Sequence, residues 1–320
     1  MKKYDLVVVG GGIAGMTATL EALKNGITNV LLIEREEELG GIINQCIHNG
    51  FGRAYLEEEI TGPEFIEFIK IRLSKYEFDI KNKTNVLKIS EDKVITYVNE
   101  KEGIKDIKAG CIILATGCTE RYTGNISIPT SKYTGIFTIG NAQRFINLEG
   151  ILPGKNPVIV ANNKWALILA RRLEIEGGKV EALVVNEESG FILNKECREI
   201  IEDFNINVIE KGKILELQGS KRVNNVKLLD IETDEIKNIK CDSVFLSVGY
   251  YPELGIVKEL NLELNEVSNT LKLKEYETSV EGIFACGNVI YGDSCMDFEH
   301  IDGSDAGKFA SKYIQNRINY

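Results

Sequence analysis

The stretch Val-Val-Val-Gly-Gly-Gly-Ile-Ala-Gly-Met at residues 7–16 decides the fold of the chain. A short apolar run that leads into G-x-G-x-x-G is typical of a buried parallel strand that turns tightly into a helix. The pattern predicts a strand over residues 5–10, a helix over 13–24 and a second strand over 29–34. Glu34 closes that second strand, about 20 residues beyond the glycines, where a dinucleotide-binding fold places its acidic residue.

The glycines and the acid have separate roles in holding a dinucleotide. Gly10 permits the tight turn, Gly12 lets the backbone approach a pyrophosphate, and Gly15 allows the helix to pack closely on the strand. The start of the helix offers N–H groups and a positive dipole end to the phosphates. Glu34 can accept hydrogen bonds from the ribose hydroxyls and would repel a 2′-phosphate, so the sequence predicts FAD or NAD here and not NADP.

A second strand–turn–helix pattern lies at residues 158–167, which read Val-Ile-Val-Ala-Asn-Asn-Lys-Trp-Ala-Leu. Ala161, Asn163 and Ala166 stand where the three glycines of the motif would be. Alanine is tolerated at the third position of the motif. One intact site and one damaged site is the simplest interpretation.

The substitutions affect the damaged site in different ways. Ala161 adds a methyl group where the turn is tight, and Asn163 can enter the left-handed conformation only with some strain. Lys164 and Trp165 add bulk at the opening of the helix, where a pyrophosphate needs bare backbone N–H groups. We therefore expect loss of nicotinamide binding. The alternative is sequence drift that leaves weak NADH binding, because Lys164 supplies a favourable charge.

The length and composition of the chain limit the classes of function that it can have. A chain of 320 residues is long enough for two domains, and its net charge of −10 disfavours nucleic acid or an anionic membrane as partner. Residues 1–4 lead straight into the first strand, and no apolar run approaches the roughly 18 residues of a membrane span. The 7 cysteines lack paired spacing, which fits a reducing cytoplasm. No group of His, Asp or Glu has metal-ligand spacing, so no metal is expected.

Further motifs resemble the two-dinucleotide flavoprotein reductases, and Thr-Gly-Pro-Glu at 61–64 resembles their thioredoxin-reductase branch. The match is closer to anaerobic FAD/NAD(P)-dependent oxidoreductases that accompany glycerol-3-phosphate-dehydrogenase-like or hydroxyglutarate-oxidase-like flavoproteins. The residues that carry the resemblance lie at 40–52, 115–121, 140–145, 149–155, 249–252 and 282–287.

This resemblance implies an α/β fold of two Rossmann-like, doubly wound, three-layer domains, the second inserted into the first. The FAD-binding domain would comprise residues 1–118 and 246–320, and a nicotinamide-type domain with a degenerate motif would comprise 119–245. The implied FAD contacts are Gly10, Gly12, Ile13, Ala14, Gly15, Glu34, Arg35, Gly41, Val86, Thr116, Gly117, Gly287, Asn288 and Ile301.

Candidate catalytic residues are few. His48 and His300, the only histidines, fall in segments expected near the flavin, and each is a candidate proton donor or acceptor. Cys46 follows the paired glycines where disulfide reductases place a flavin-contacting thiol, and it is either a redox thiolate or a packing residue. Thioredoxin reductases carry C-x-x-C at a place that reads Thr-Ile-Gly-Asn at 138–141 here, so thioredoxin reduction is not expected.

The sequence thus predicts a cytoplasmic FAD-dependent oxidoreductase. Its task would be electron transfer between an acceptor and a protein partner, either a ferredoxin-like protein or a partner flavoprotein subunit. An NADH-dependent oxidoreductase with a weakened nicotinamide site is one alternative, and a flavin-holding structural subunit of a dehydrogenase complex is another. Homodimer formation is left open.

Overall fold

The computed structural model describes residues 1–122, 133–186, 189–266, 268–292 and 301–318. The chain divides into two compact units, here called the first unit (Met1–Thr119 with Tyr251–Tyr320) and the second unit (Glu120–Tyr250). The predicted borders were 118/119 and 245/246, and the observed division falls at 119/120 and 250/251. The α/β class with two Rossmann-like units is confirmed by the sheets described below.

The strands follow one another along the described chain. They are β1 (Lys2–Val9), β2 (Val30–Ile33), β3 (Asp79–Lys81), β4 (Asn85–Ile89), β5 (Val94–Asn99), β6 (Gly103–Leu114), β7 (Cys118–Glu120), β8 (Ile136–Thr138), β9 (Pro157–Ala161), β10 (Ala182–Asn186), β11 (Val208–Gly219), β12 (Val223–Asp230), β13 (Glu235–Lys240), β14 (Ser243–Ser247), β15 (Tyr250–Pro252) and β16 (Ile283–Ala285).

The helices pack on these strands. They are α1 (Ile13–Lys24), α2 (Arg53–Leu56), α3 (Gly62–Leu73), α4 (Ile139–Asn147), α5 (Trp165–Ile175), α6 (Lys195–Asp203), α7 (Asn288–Tyr291) and α8 (Gly303–Ile318), with 3₁₀ turns at Gly41–Gln45 and Gly255–Val257. In the described residues, no helix is both long enough and apolar enough to cross a membrane.

The sheet of the first unit combines a parallel and an antiparallel part. Strands β3, β2, β1 and β6 lie side by side and parallel, and β16 pairs with the carboxyl-terminal half of β6. Strands β5 and β4 continue from the other half of β6 as an antiparallel meander. Strand β1 is apolar on both faces because Leu6 and Val8 enter one core cluster and Val7 and Val9 enter another.

A local sequence signal marks the start of α3 in the first unit. Thr61 and Glu64 form a reciprocal capping box at the start of α3.

Helix α8 crosses α1 closely because Gly303 and Gly307, one turn apart, face it. A Cβ atom at Gly303 would lie 2.1 Å from the Ala14 carbonyl oxygen, and one at Gly307 would lie 2.4 Å from that of Ala18.

The second unit repeats the architecture. Its sheet has the order β13-β12-β11-β10-β9-β14-β8, with β12 antiparallel to β11 and β13 antiparallel to β12. Helix α5 follows β9, as the second strand–turn–helix pattern predicts. Strands β7 and β15 form a two-stranded sheet where the chain passes from one unit to the other.

Candidate functional site

The loop from β1 to α1 needs two of its glycines for steric reasons. Gly10 has φ +107°, and a Cβ atom there would lie 2.3 Å from the Ala115 carbonyl oxygen. A Cβ atom at Gly15 would lie 1.8 Å from the Gly10 carbonyl oxygen. The absence of a side chain at both positions therefore lets α1 pack closely against the carboxyl ends of β1 and β6. These close approaches show that the tight turn predicted from the motif forms in this chain.

The third glycine leaves the start of α1 open. Gly12 has an ordinary φ of −69°, and no side chain of the described residues caps the helix after it. A Cβ atom at Gly12 would have only the Gly41 Cα within reach, at 4.0 Å. Because helix first-turn N–H groups lack intrahelical partners, they are available to an anion. This bare cradle fits the pyrophosphate of a dinucleotide such as FAD.

Glu34 is held at the end of β2 by backbone donors. Its side chain is buried, with 6% of the residue exposed. The Oε2 atom accepts a hydrogen bond from the Gly11 N–H at 2.6 Å, and Oε1 accepts one from the Glu36 N–H at 2.8 Å. Each carboxylate oxygen has further lone pairs. The fixed carboxylate therefore retains acceptor capacity for ribose hydroxyls.

Two predicted contact residues lie where β6 ends. The Thr116 hydroxyl donates to the Glu253 carbonyl oxygen at 2.7 Å. Gly117 has φ +74°, and no atom lies within 4 Å of where its Cβ would be. Its carbonyl oxygen accepts the Glu253 N–H at 3.0 Å. The turn after β6 is thus fixed by the segment after β15 and leaves open space at the glycine.

The other predicted FAD contacts also lie in the first unit. Gly41 has φ +59°, and a Cβ atom there would lie 3.1 Å from Gly12 Cα. Half-buried Val86 on β4 pairs with Tyr97 of β5, and the exposed Arg35 side chain lies 3.9 Å from the Glu36 carboxylate. The remaining contacts occupy helix starts: Ile13 and Ala14 in α1, Gly287 and Asn288 at α7, and Ile301 before α8.

Asp302 is a further polar residue at this site that was not assigned as a contact from the sequence. It is 1% exposed. Its Oδ1 atom accepts the Gly287 N–H at 2.8 Å, and Oδ2 accepts the Tyr291 hydroxyl at 3.1 Å. The only sequence signal is an Asp-Gly pair before an apolar-periodic helix, which indicates a helix start and not a contact to a distant turn.

The thiol of Cys46 is placed as a packing group. The residue is 4% exposed within the apolar core, and its Sγ atom lies 3.6 Å from the Ile42 carbonyl oxygen. Burial raises the pKa of the Cys46 thiol to about 12. A redox thiolate at neutral pH is therefore disfavoured, and the alternative role in packing fits the geometry.

Of the two histidines predicted to lie near the flavin, only His48 is among the described residues. His48 is half-buried, with Nδ1 2.9 Å from the Asn49 carbonyl oxygen and its ring 5.1 Å from that of Phe51. His300 lies outside the described residues. Among the described residues, no group of three or more His, Cys, Asp or Glu is arranged to hold a metal ion.

The loop between β9 and α5 is closed by hydrogen bonds to the Asn163 side chain. The Asn163 Oδ1 atom accepts the Trp165 N–H at 3.1 Å and the Ser247 hydroxyl at 2.9 Å. Ala161 is fully buried, and neither Ala161 nor Asn163 has a positive φ. The left-handed conformation considered for Asn163 is therefore not used, because its side chain satisfies the turn instead.

The Trp165 ring does not lie at the opening of α5, where the sequence led us to expect it. Its ring packs against the apolar core beneath α5 and is partly buried there. The Lys164 ammonium group lies 5.3 Å from the centre of that ring. The tryptophan ring therefore does not block the phosphate site as expected from the sequence. The obstruction comes mainly from the Asn163 side chain, which accepts a first-turn N–H group of α5.

A carboxylate binds the start of α4, in the segment 138–141 where the resemblance to thioredoxin reductases implies a dithiol. Thr138 caps α4, accepting the Asn141 N–H at 3.5 Å. The Glu120 carboxylate accepts the Gly140 N–H at 2.9 Å and 3.1 Å. Burial raises the pKa of Glu120, while hydrogen bonds from Thr138 and the helix N–H groups oppose that rise. This contact was not predicted from the sequence.

Solved structures of disulfide reductases share the fold. Thioredoxin reductase of T. acidophilum matches with a TM-score of 0.79 and 22% identity, covering 99% of this chain and 100% of that chain. Bacillithiol disulfide reductase Bdr of Bacillus cereus matches with a TM-score of 0.78 and 17% identity, covering 99% and 100%. At these identities the likeness shows the fold.

Curated relatives match over most of this chain. A subunit of the alkyl hydroperoxide reductase of Staphylococcus aureus (strain MRSA252) is 24% identical over 294 residues, which cover 89% of this chain and 54% of the relative. An NADH dehydrogenase of Ferdinandcohnia aciditolerans is 24% identical over 293 residues, which cover 89% and 52%. The chain spans about half the length of these relatives.

The sequence profile of one family extends over nearly the whole chain. It is described as pyridine nucleotide-disulphide oxidoreductase and matches residues 4–311, a range that includes both strand–turn–helix loops. Together with the fold, this match shows that the protein belongs to the pyridine nucleotide-disulphide oxidoreductase family of flavoenzymes.

Proposed function

We propose that this protein is an FAD-dependent oxidoreductase that exchanges electrons with a protein partner and has lost the nicotinamide site of its family. FAD would occupy the glycine loop of the first unit, held by Glu34 and the start of α1. When bound, the flavin supplies two-electron redox chemistry, and the protein supplies binding and orientation.

The contrast between the starts of α1 and α5 is the observation that carries the proposal. At α1, the cradle beside Gly12 is bare and uncapped. At α5, the Asn163 side chain accepts the Trp165 N–H that a phosphate would need. The Ser247 hydroxyl donates to the same Asn163 oxygen and fixes the side chain there. A pyrophosphate would have to displace both hydrogen bonds, which contribute about 0.5–1.5 kcal/mol each.

A protein partner is supported by the start of α4. Thr138 and Asn141 stand where a dithiol would be, and the Glu120 carboxylate binds the helix N–H groups. Without two thiols at this helix, electrons cannot leave through a disulfide there. One relative is named as part of a reductase of more than one chain, which fits a chain that works with a partner. We expect a ferredoxin-like protein or a dehydrogenase flavoprotein of the glycerol-3-phosphate-dehydrogenase-like kind.

A second candidate function is an NADH-dependent oxidoreductase with a weakened site. The Asn162 Oδ1 atom in the α5 loop is buried and has no hydrogen-bond partner among the described residues. A bound dinucleotide could donate to it, and Lys164 adds a positive charge nearby. One relative is named an NADH dehydrogenase. A flavin-holding subunit without its own turnover is the third alternative.

Anaerobic stopped-flow reduction of the FAD-loaded protein separates these functions. We expect dithionite and a reduced ferredoxin to bleach the flavin, while NADH and NADPH do so slowly or not at all. The matched variant combines Ala161→Gly, Asn163→Gly and Ala166→Gly, and it should gain a measurable rate with NADH. Wild-type reduction by NADH within the turnover range of about 1–1000 per second typical of enzymes would contradict the loss of the nicotinamide site. Reduction by dithionite alone would favour the structural subunit.

A further inference from the structure

We propose that the outer face of the three-stranded meander β11–β12–β13 in the second unit docks an acidic protein. The inference rests on the proposed function for its kind of partner, an acidic electron-transfer protein such as a ferredoxin. It adds the surface of this chain that such a partner would contact.

The meander buries one face and exposes the other. Val226 and Leu228 of β12 lie in an apolar core cluster of the second unit. Because side chains alternate between the two faces of a strand, the residues next to them point outward. The outward-pointing side chains that define what we call the lysine face are Lys213, Leu215, Lys227, Leu229, Ile236 and Lys240.

The three lysines lie on one diagonal of the sheet. On one side of Lys227, the paired residue is Asn238, two positions before Lys240 on β13. On the other side, Lys213 of β11 pairs with Leu229, two positions after Lys227. Diagonal neighbours in an antiparallel sheet lie about 7–8 Å apart. The lysines are therefore within about one Debye length of their neighbours at about 0.1 M salt.

These lysines have no counter-charge within the chain. In the part of the chain that the structure describes, Lys213, Lys227 and Lys240 form no ion pair, although Lys211 and Lys237 beside them each bind a carboxylate. Like charges at this spacing repel each other. An anionic group from outside the chain would relieve that repulsion.

One carboxylate shares the outer face without cancelling its charge. Glu216 lies opposite Lys227, and its Oε2 atom accepts the Gln218 side-chain N–H at 2.9 Å instead of an ammonium group. Three ammonium groups against one carboxylate leave the face positive. The whole chain, in contrast, carries a net charge of −10.

Exposed apolar side chains lie among the lysines. Ile236 is 57% exposed and pairs directly with half-buried Leu229, while Leu215 is 41% exposed in the bulge of β11. Protein interfaces combine such apolar contact area with a polar rim. The face therefore fits a protein surface on which carboxylates surround an apolar patch.

The size of the face favours a compact partner. Three strands about 4.8 Å apart and about five residues along each strand span about 10 by 14 Å. That area lies at the small end of protein interfaces, where transient electron-transfer encounters are found. A nucleic acid or an anionic membrane would extend beyond the face and meet the repulsion of an acidic chain.

The test is a calorimetric titration of the FAD-loaded protein with an acidic ferredoxin at about 0.1 M salt. Charges more than about 10 Å away are screened at that ionic strength, so the ferredoxin senses the lysine face more than the rest of the chain. The variant that combines Lys213→Gln, Lys227→Gln and Lys240→Gln should bind about tenfold more weakly. Ile236→Thr, which leaves the charge unchanged, should bind about threefold more weakly.

A second triple variant is the matched control. Lys101→Gln, Lys105→Gln and Lys258→Gln remove the same charge from exposed lysines of the first unit, and we expect the Kd for ferredoxin to stay within about twofold. Absence of ferredoxin binding by the wild type, or equal affinity in both triple variants, would overturn the inference. Binding of anionic phosphatidylglycerol vesicles or double-stranded DNA in place of ferredoxin, lost in the first triple variant, would overturn the acidic protein as partner.

Flavin absorbance during titration with reduced ferredoxin separates this inference from the proposed function. Ferredoxin that binds at the lysine face without bleaching the flavin contradicts the proposed function and leaves the docking surface standing. Bleaching that proceeds equally fast in the wild type and the first triple variant, with equal affinity, supports the proposed function and overturns the docking surface.

Discussion

Replacing Glu34 by glutamine tests how the first nucleotide site is built. The carboxylate accepts two backbone N–H groups, from Gly11 at 2.6 Å and Glu36 at 2.8 Å, and only 6% of the residue is exposed. A glutamine side chain offers one oxygen, so one N–H must face an amide NH₂ group. An unsatisfied buried donor costs about 1–3 kcal/mol of folding free energy. At about 2–4 °C per kcal/mol for a domain of this size, the Tm should fall by about 2–12 °C.

The same change should weaken FAD binding. Losing a charged acceptor for a ribose hydroxyl costs about 1.5–3 kcal/mol, which corresponds to about a 10- to 150-fold rise in Kd. Thermal unfolding of the apo protein measures the first effect, and FAD titration measures the second. The two measurements separate a structural role of Glu34 from its role in holding the ribose.

Glu37→Gln is the matched control for Glu34→Gln. Glu37 lies three residues away and its side chain is 74% exposed in an ion pair with Lys83, so its contribution is about 0–1 kcal/mol. We expect a change in Tm of at most about 4 °C and an unchanged Kd for FAD. A Glu34→Gln protein with the stability and FAD affinity of this control would refute the assignment of Glu34.

Three further changes test single features of the structure. The alanine of Gly12→Ala has room for its methyl group, so the apo protein should keep its stability within about 0.5 kcal/mol. The FAD affinity, measured by titration, should fall at least about tenfold. An unchanged affinity would show that the phosphates do not approach Gly12. Burial raises the pKa of Glu120, so the stability linked to its protonated form is fully present below its usual pKa of 4.5 and is lost as pH rises through the raised value. The free energy of unfolding in urea should therefore depend less on pH for Glu120→Gln than for the wild type. The same pH dependence in both proteins would count against this. Iodoacetamide should label half-buried Cys118 before Cys46 at about pH 7.5, which is below the usual pKa of a free thiol. The reason is that burial raises the pKa of the Cys46 thiol to about 12. Preferential labelling of Cys46 would restore the hypothesis of a redox thiolate.

Local sequence signals predicted much of the fold. The span Ile13–Lys24 of α1 agrees with the predicted helix, because glycines mark its start and an Asn-Gly pair marks its end. The capping box at Thr61 and Glu64 likewise places the start of α3. Such signals act over a few residues, so a single sequence contains them in full.

Contacts between distant residues could not be predicted in this way. The bond from the Gly287 N–H to Asp302 and those from the Gly140 N–H to Glu120 join residues 15 and 20 positions apart. No periodicity links an acid to a particular backbone N–H on another element. The glycine pair on α8 is different, because a spacing of four residues puts both glycines on one face of the helix and indicates close packing there; the structure shows that this face packs on α1.

The second nucleotide loop illustrates what a sequence pattern can and cannot predict. Missing glycines correctly identified an altered turn. The side chain that closes the turn was not identified, because Asn163 acts through a hydrogen bond with Ser247, which is 84 residues away in the chain. Helix α4 also carried a signal that was not used, since Thr138 precedes apolar residues at positions 139, 142 and 146.

Calorimetric titration of the FAD-loaded protein with NADH tests the central claim most directly, because it measures nicotinamide binding apart from any turnover. We predict about one FAD per chain and no NADH binding tighter than about 1 mM, the weak end of typical KM values. The variant that combines Ala161→Gly, Asn163→Gly and Ala166→Gly should bind NADH measurably. Micromolar NADH binding by the wild type would contradict the claim that the second site has been lost.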